Sequence, residues 1–259
     1  MIKKIFCLLI FVIFFTCGCT GRKDDLGIIT KRGKIIVGVR TDTKPFGYKD
    51  INGTLQGYDI ELAHLIAKAV LGSDTAVEFV PVTAENRVEK LNSKEVDILI
   101  ATMSVTNQRQ LVVDFSEPYY AAGQALMVKN NNTRINSLRN LNGKRVIIVY
   151  GSTGEESIKR NVPEAIVIGF KTYTDAINAL VNGKADALIA DDTVLLNYVE
   201  SHASVKLLPN RYSHEPYAIA FRKDENSKRL QTRINFTIQN LKAMGVLRRM
   251  EEKWGVKHK

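Results

Sequence analysis

Cysteine is nearly absent from this chain of 259 residues: Cys7, Cys17 and Cys19 are all there are. Nothing beyond residue 19 can join a disulfide framework or hold a metal through thiolates. Histidine is sparse as well, at His64, His202, His214 and His258, with no HExxH pair among them, so no metal site and no cofactor is expected. The chain lacks a Gly-x-Ser-x-Gly nucleophile turn and a phosphate-cradling glycine-rich loop. No catalytic residue is marked, and the chain does not read as an enzyme. No apolar run reaches the ~20 residues of a bilayer-spanning helix. Formal net charge is +10, yet lysine and arginine are scattered among aspartate and glutamate with no basic run interleaved with aromatics. That pattern is a solvated basic surface, and no nucleic acid is expected as a partner.

What is present begins with Met1-Ile2-Lys3-Lys4 and an uncharged apolar run from Ile5 to Cys17, the charged start and short apolar core of an export signal. Residues 1–18 are expected to leave as a signal peptide, and loss of Lys3 and Lys4 takes the net charge to +8. Thr16-Cys17-Gly18-Cys19 resembles a bacterial lipoprotein signal, in which cleavage before the last cysteine frees its thiol for lipid. Cys19 is then the lipidation site and residues 19–31 a charged tether. The globular part is expected to work extracytoplasmically, held to the cell membrane through that lipid.

Hydrophobic residues make up 45% of the chain, enough for one large core or two of ordinary domain size, and two is the expectation. Ile35-Ile36-Val37-Gly38-Val39 reads as a buried strand with Arg40 at its carboxyl end. After a turn region containing Pro45, Asn52 and Gly53, the apolar positions Ile60, Leu62, Ala63, Ile66, Ala67 and Val70 have helical spacing over Tyr58 to Leu71, ended by Gly72. This is the first predicted helix, with His64 on its exposed side. Val77 to Val82 is a second strand. Leu91 to Ala101, LNSKEVDILIA, is echoed by Leu180 to Ala190, LVNGKADALIA, each reading as a helix end, a tight turn and a buried strand. Gly33-Lys34 before the first strand is echoed by Gly143-Lys144 before Val146 to Val149. The programme restarts near Asn140, and the alternation predicts an α/β fold of two lobes, each a mainly parallel sheet flanked by helices.

In open parallel sheets, ligands sit outside the carboxyl ends of the strands. The ends legible here carry Arg40, then Thr102 and Ser104, then Ser152 and Thr153, then Asp191. A zwitterion leaving water needs a partner for each charge, because an unpaired buried charge is costly. Arg109 can clamp a carboxylate bidentately, and Asp191 can accept from an ammonium. Arg40 and Arg87, the latter opening a predicted helix, are extra cations suited to an acidic side chain. Asp192 is read as a helix cap in preference to a second ligand group, and Tyr173, opening a helix in the second lobe, as a residue closing over the ligand.

Gly57-Tyr58-Asp59-Ile60-Glu61-Leu62-Ala63 with Ile66-Ala67 resembles the signature segment of the bacterial extracellular solute-binding proteins of family 3, the polar amino-acid binders of ABC transporters. Val96-Asp97-Ile98, Ala101-Thr102, Ser104-Val105-Thr106, Gln108-Arg109, Val113 to Tyr120 and Lys253-Trp254-Gly255 agree, in order, over nearly the whole chain after the signal. The resemblance implies a periplasmic-binding-protein type II fold with two hinge crossovers, near Ala121 to Leu126 and Tyr217 to Ala220. Lobe 1 is then 32–121 with 218–259, and lobe 2 is 122–217. It also implies a free amino acid as ligand, an ABC permease with its ATPase as partners, membrane attachment through Cys19, and a monomer. Arg109 would take the ligand carboxylate and Asp191 the ammonium. Thr102, Ser104, Ser152 and Thr153 would complete the hydrogen bonds. Arg40 and Arg87 resemble the pair of aspartate/glutamate binders, so an acidic ligand is expected, with glutamine, cystine or cysteine, or another polar amino acid as alternatives. Thr43-Lys44 departs from the family by replacing an aromatic common before Pro-Phe. A dehydratase-like enzyme and a sensory module are the rival readings on the same fold.

Overall fold

The structure, a computed structural model, describes residues 24–256. The expected signal peptide, Cys19 and His258 lie outside the described residues. The chain runs α1 (Asp25–Arg32), β1 (Ile35–Val39), a small antiparallel excursion β2 (Asp42–Thr43), β3 (Gly47–Lys49) and β4 (Leu55–Gln56), then α2 (Tyr58–Leu71), β5 (Val77–Pro81), α3 (Arg87–Asn92), β6 (Ile98–Leu99), α4 (Asn107–Gln110) and β7 (Val113–Phe115). A crossing strand, β8 (Tyr120–Ala122), leads to β9 (Gln124–Lys129), β10 (Arg145–Val149), α5 (Thr153–Asn161), β11 (Ile166–Phe170), α6 (Tyr173–Val181), β12 (Ala187–Asp191), α7 (Asp192–Ser201) and β13 (Val205–Leu207). The chain returns through β14 (Glu215–Tyr217) to β15 (Ala220–Arg222), α8 (Lys228–Ala243) and α9 (Val246–Lys253).

Two five-stranded sheets result, ordered β5-β1-β6-β15-β7 and β11-β10-β12-β9-β13. In each, four strands run the same way and one, β15 in the first sheet and β9 in the second, runs antiparallel between its neighbours. Their central strands are apolar and buried because helices cover both faces of each sheet, with Ile35, Val37, Ile98 and Phe221 in the first core and Ile147, Leu188 and Ala190 in the second. Among the described residues, β8 and β14 join the two halves as a ladder, pairing Glu215 with Ala122 and Tyr217 with Tyr120. Around this crossing the rings of Phe46, Tyr58, Tyr119, Tyr120 and Tyr217 pack at 5.3 to 6.4 Å between centroids.

Three expectations differ from what is seen. The segment expected as a tether is helical from Asp25 onward, because Ile29 is fully buried, Asp24 caps Gly27 N at 2.9 Å, and Asp24 and Asp25 pair with Arg229 and Arg222, each at 2.7 Å. His64 is half-buried, not exposed, because its Nδ1 lies 2.7 Å from the Asp74 carbonyl and its ring meets Phe79 edge-on. Asp192 is the first residue of α7 and Asp191 its N-cap, so Asp192 does not cap; its carboxylate accepts from Gly123 N and Thr193 N and pairs with Arg211.

The C-terminal helices pack on the first sheet, with Leu247 buried and Leu241 and Trp254 against the same core. Trp254 Nε1 donates to Glu61 at 2.8 Å. The indole also lines a crevice whose opposite wall is α7, through Leu196, Asn197 and Glu200. Among the described residues, no helix is long and apolar enough to cross a membrane.

Candidate functional site

The carboxyl ends of the two sheets face each other, and one cavity between them gathers Arg40, Ala84, Arg87, Thr102, Ser104, Arg109, Ser152, Thr153, Tyr173 and Asp191. The eight residues singled out by strand ends and helix starts are in that set, and so is Arg109, singled out as a carboxylate clamp. The space they enclose is about 10 Å³, room for about one water. The walls meet closely. Arg109 Nη2 donates to Gly151 O at 3.0 Å, Tyr173 N to Asp42 Oδ2 at 3.0 Å, and Tyr198 OH to Asp42 O at 2.9 Å. At Gly151, φ is +73°, and an added Cβ would lie 2.6 Å from Ala84 O. Only glycine permits both that backbone conformation and that approach.

The first half contributes the cations. Arg109, in the short helix capped by Thr106, is buried and anchored by Nη1 to Ser104 O at 2.8 Å. Arg87, in the first turn of α3, donates Nη1 to Ala101 O at 3.0 Å, and its buried Nε has no partner among the described residues. Burial, with Arg109 and Arg40 nearby, pushes the Arg87 guanidinium well below its ordinary range. Neither Arg87 nor Arg109 has a carboxylate in ion-pair contact among the described residues. Arg40 differs: its Nε and Nη2 reach Asp42 at 2.8 to 3.0 Å, and its guanidinium lies 5.3 Å from the Tyr173 ring centroid. Its charge is already met. Arg40 thus lines the cavity together with a carboxylate partner, Asp42, that the sequence reading did not assign to it.

The second half contributes the anion and hydroxyls. Asp191 ends β12 fully enclosed, accepting from Gln124 Nε2 and from the Tyr217 hydroxyl. Burial foremost, then the nearby Glu215 charge, lifts its carboxyl to about 7, against the pull of Tyr217 and Arg109. Ser152 caps α5 by accepting from Glu155 N at 3.3 Å, and Thr153 Oγ1 accepts from Gln124 Nε2 at 2.9 Å. The start of α5 therefore turns hydroxyls and unpaired backbone N–H groups toward the cavity, a setting that favours an anion. Tyr173 opens α6, buried against Arg40. Such a cleft, with fixed cations on one wall and a fixed anion on the other, suits a zwitterion of matching span.

Sequence reasoning passed over Asp42, Gln124 and Tyr217, which hold these groups in place. Asp42 had a signal, an acid two residues beyond an arginine at a strand end, where both side chains share a face. Gln124 and Tyr217 had none, lying 67 and 26 positions from Asp191. Among the described residues, no group of three or more His, Cys, Asp or Glu side chains is placed to hold a metal ion.

A profile of the family described as "Bacterial extracellular solute-binding proteins, family 3" matches residues 35–257. The chain is similar to the ABC transporter glutamine-binding protein GlnH of Bacillus subtilis, 35% identical with 97% of both chains covered. It is similar also to a glutamine-binding protein of Geobacillus stearothermophilus, 39% identical over 78% of this chain and 77% of that one. Among solved structures, a cysteine-binding protein from Campylobacter jejuni superimposes with a TM-score of 0.85 at 32% identity, covering 89% of this chain and 92% of the other.

Proposed function

This chain belongs to the bacterial extracellular solute-binding proteins of family 3, the amino-acid-binding components of ABC transporters, and from that premise we propose that it captures a free amino acid with a neutral polar side chain, glutamine first. The observation that carries the choice is the contact of Asp42 with Arg40, which leaves that cation already matched. The other cavity cations, Arg87 and Arg109, face Asp191 and, behind it, the buried Glu215. With Arg40 matched by Asp42, the lining holds two arginines and one carboxylate, and the buried Glu215 outside the lining adds a second negative charge near Asp191, so a net-neutral zwitterion leaves few uncompensated charges. The two relatives that carry glutamine in their names support the same choice.

In this reading Arg109 and the start of α5 hold the ligand carboxylate and Asp191 accepts from its ammonium. Thr102, Ser104, Ser152 and Thr153 supply the neutral hydrogen bonds, and Arg87 donates to the side-chain carbonyl. The moving bodies are residues 32–121 with 218–259 and residues 122–217, hinged at β8 and β14, and Tyr173 closes over the site. The protein works as a monomer, attached through lipid on Cys19 and delivering its ligand to a permease. An acidic ligand is the second reading, favoured by the absence of a carboxylate in contact with Arg87. Isothermal titration with glutamine, glutamate, arginine and cystine tests the choice. Glutamine is expected at micromolar Kd, about 8 kcal/mol of binding free energy, with glutamate at least about tenfold weaker. Tighter binding of glutamate would replace the first reading with the second, and arginine as the preferred ligand would overturn both.

A further inference from the structure

Asp59 is fully buried on α2, on the face that carries Leu62, Ala63 and Ile66. It forms no ion pair among the described residues and lines no part of the cavity. Its two oxygens are specifically engaged: Oδ1 accepts from the Tyr119 hydroxyl at 2.9 Å and Oδ2 from Thr102 N at 3.0 Å. Burial raises this carboxyl to about 7, with both hydrogen bonds pulling it down.

Thr102 is a cavity residue with φ at +46°, in the left-handed region that a β-branched side chain seldom enters. The peptide group preceding it is gripped from both ends. Its N–H goes to Asp59, and its carbonyl, that of Ala101, accepts from Arg87 Nη1 at 3.0 Å. A buried anion, one peptide dipole and a buried cation therefore stand in line, each polarising the next. The arrangement leaves Arg87 partly compensated without a carboxylate in contact with it among the described residues.

We propose that Asp59 is a positioning residue for ligand selectivity: it holds the Ala101–Thr102 peptide so that the carbonyl engages Arg87 and restrains that guanidinium's attraction for an anionic side chain. This rests on the reading of the cavity as an amino-acid site. Asp59→Asn keeps the shape and can still accept from Thr102 N, but it removes the charge. Calorimetry at pH 8, where the carboxylate is ionised, gives the Kd for glutamine and for glutamate in wild type and variant, with thermal melting as the check on folding.

The expected result is that the ratio of affinities moves toward glutamate by about tenfold, the order of one unit charge acting across a single peptide group at intermediate permittivity. A folded variant in which the ratio stays put, whether both affinities are retained or fall together, overturns the inference and makes Asp59 a support of the fold alone. Should Asp59→Asn fail to fold, Tyr119→Phe withdraws a donor from the same carboxylate, raises its proton affinity and is expected to move the ratio the same way; an unmoved ratio there has the same adverse meaning. Wild-type protein that binds neither amino acid refutes the site itself, a failure separate from the other two.

Discussion

The two halves of the molecule share one topology and divide one task. Each sheet sets four strands in one direction and takes the opposing strand, fourth in its order, from the far side of a chain crossing: β9 follows β8, and β15 follows β14. Equivalent strand ends face the cavity from both sides. Their charges are opposite, with Arg40, Arg87 and Arg109 on one wall and Asp191 with the hydroxyls of Ser152, Thr153 and Tyr173 on the other. A repeated scaffold therefore supplies the positions, while divergence at a few strand-end residues supplies the polarity that a zwitterion needs. The halves also differ in how they stabilise their charges. Arg87 and Arg109 bond to backbone carbonyls and Arg40 to Asp42, whereas the anion rests on the side chains of Gln124 in β9 and Tyr217 in β14.

The strongest way to break this comparison is to silence one wall. Arg109→Ala and Asp191→Ala are each expected to cost about 3 kcal/mol or more, a hundredfold or greater loss of affinity, since each strands a ligand charge in the closed cleft. Calorimetry decides it, and retained binding in either variant sinks the division of charge. A smaller effect is expected from Gly151→Val, which leaves both sets of charges in place but puts a side chain where the walls meet. Overpacking of about 2 kcal/mol translates into roughly thirtyfold weaker binding. Small-angle scattering should then show no compaction when ligand is added, whereas compaction equal to wild type would mean that the walls yield. Smallest is the effect of pH, which within the cavity lining should act at Asp191, the buried Asp59 of α2 titrating in the same range. The Asp191 carboxyl, near 7 when free of ligand, must ionise to accept an ammonium, so affinity should fall about tenfold from pH 8 to pH 6. Binding at pH 6.5 should release protons, visible as a buffer-dependent enthalpy. Stability of the ligand-free protein runs the other way. The folded carboxyl sits above its unfolded 3.8, so its contribution is fully present below that value and is lost as pH rises through about 7.

The sequence made the scaffold legible because its signals are local. The 3.6-residue spacing of Ile60, Leu62, Ala63, Ile66 and Ala67 yields α2 from Tyr58 to Leu71 as expected. The echo of LNSKEVDILIA by LVNGKADALIA marks corresponding strands, β6 and β12, one in each sheet. The rule that ligands gather at the carboxyl ends of parallel strands singled out six of the cavity residues, Arg40, Thr102, Ser104, Ser152, Thr153 and Asp191. What escaped was pairing across sequence distance. Nothing in the spacing told that Asp42 would meet Tyr173, 131 positions away, or that Tyr217 would reach Asp191. Helix α1 was missed because its single buried apolar residue, Ile29, gives too weak a period, and its docking depends on ion pairs to Arg222 and Arg229 near the far end of the chain. Asp59 did leave a trace, an acid set among the apolar positions of an amphipathic face. Its importance lies in the strained peptide it holds, which composition does not reveal.

Trp254 is the chain's single tryptophan, and it sits at the seam where the C-terminal segment looks across at α7. Any swing of one half against the other changes the wetness of that indole and its distance from Glu200. On the proposed hinge motion, the molecule therefore carries its own optical gauge, a fluorophore placed by the fold at a gap that such a swing would widen or narrow.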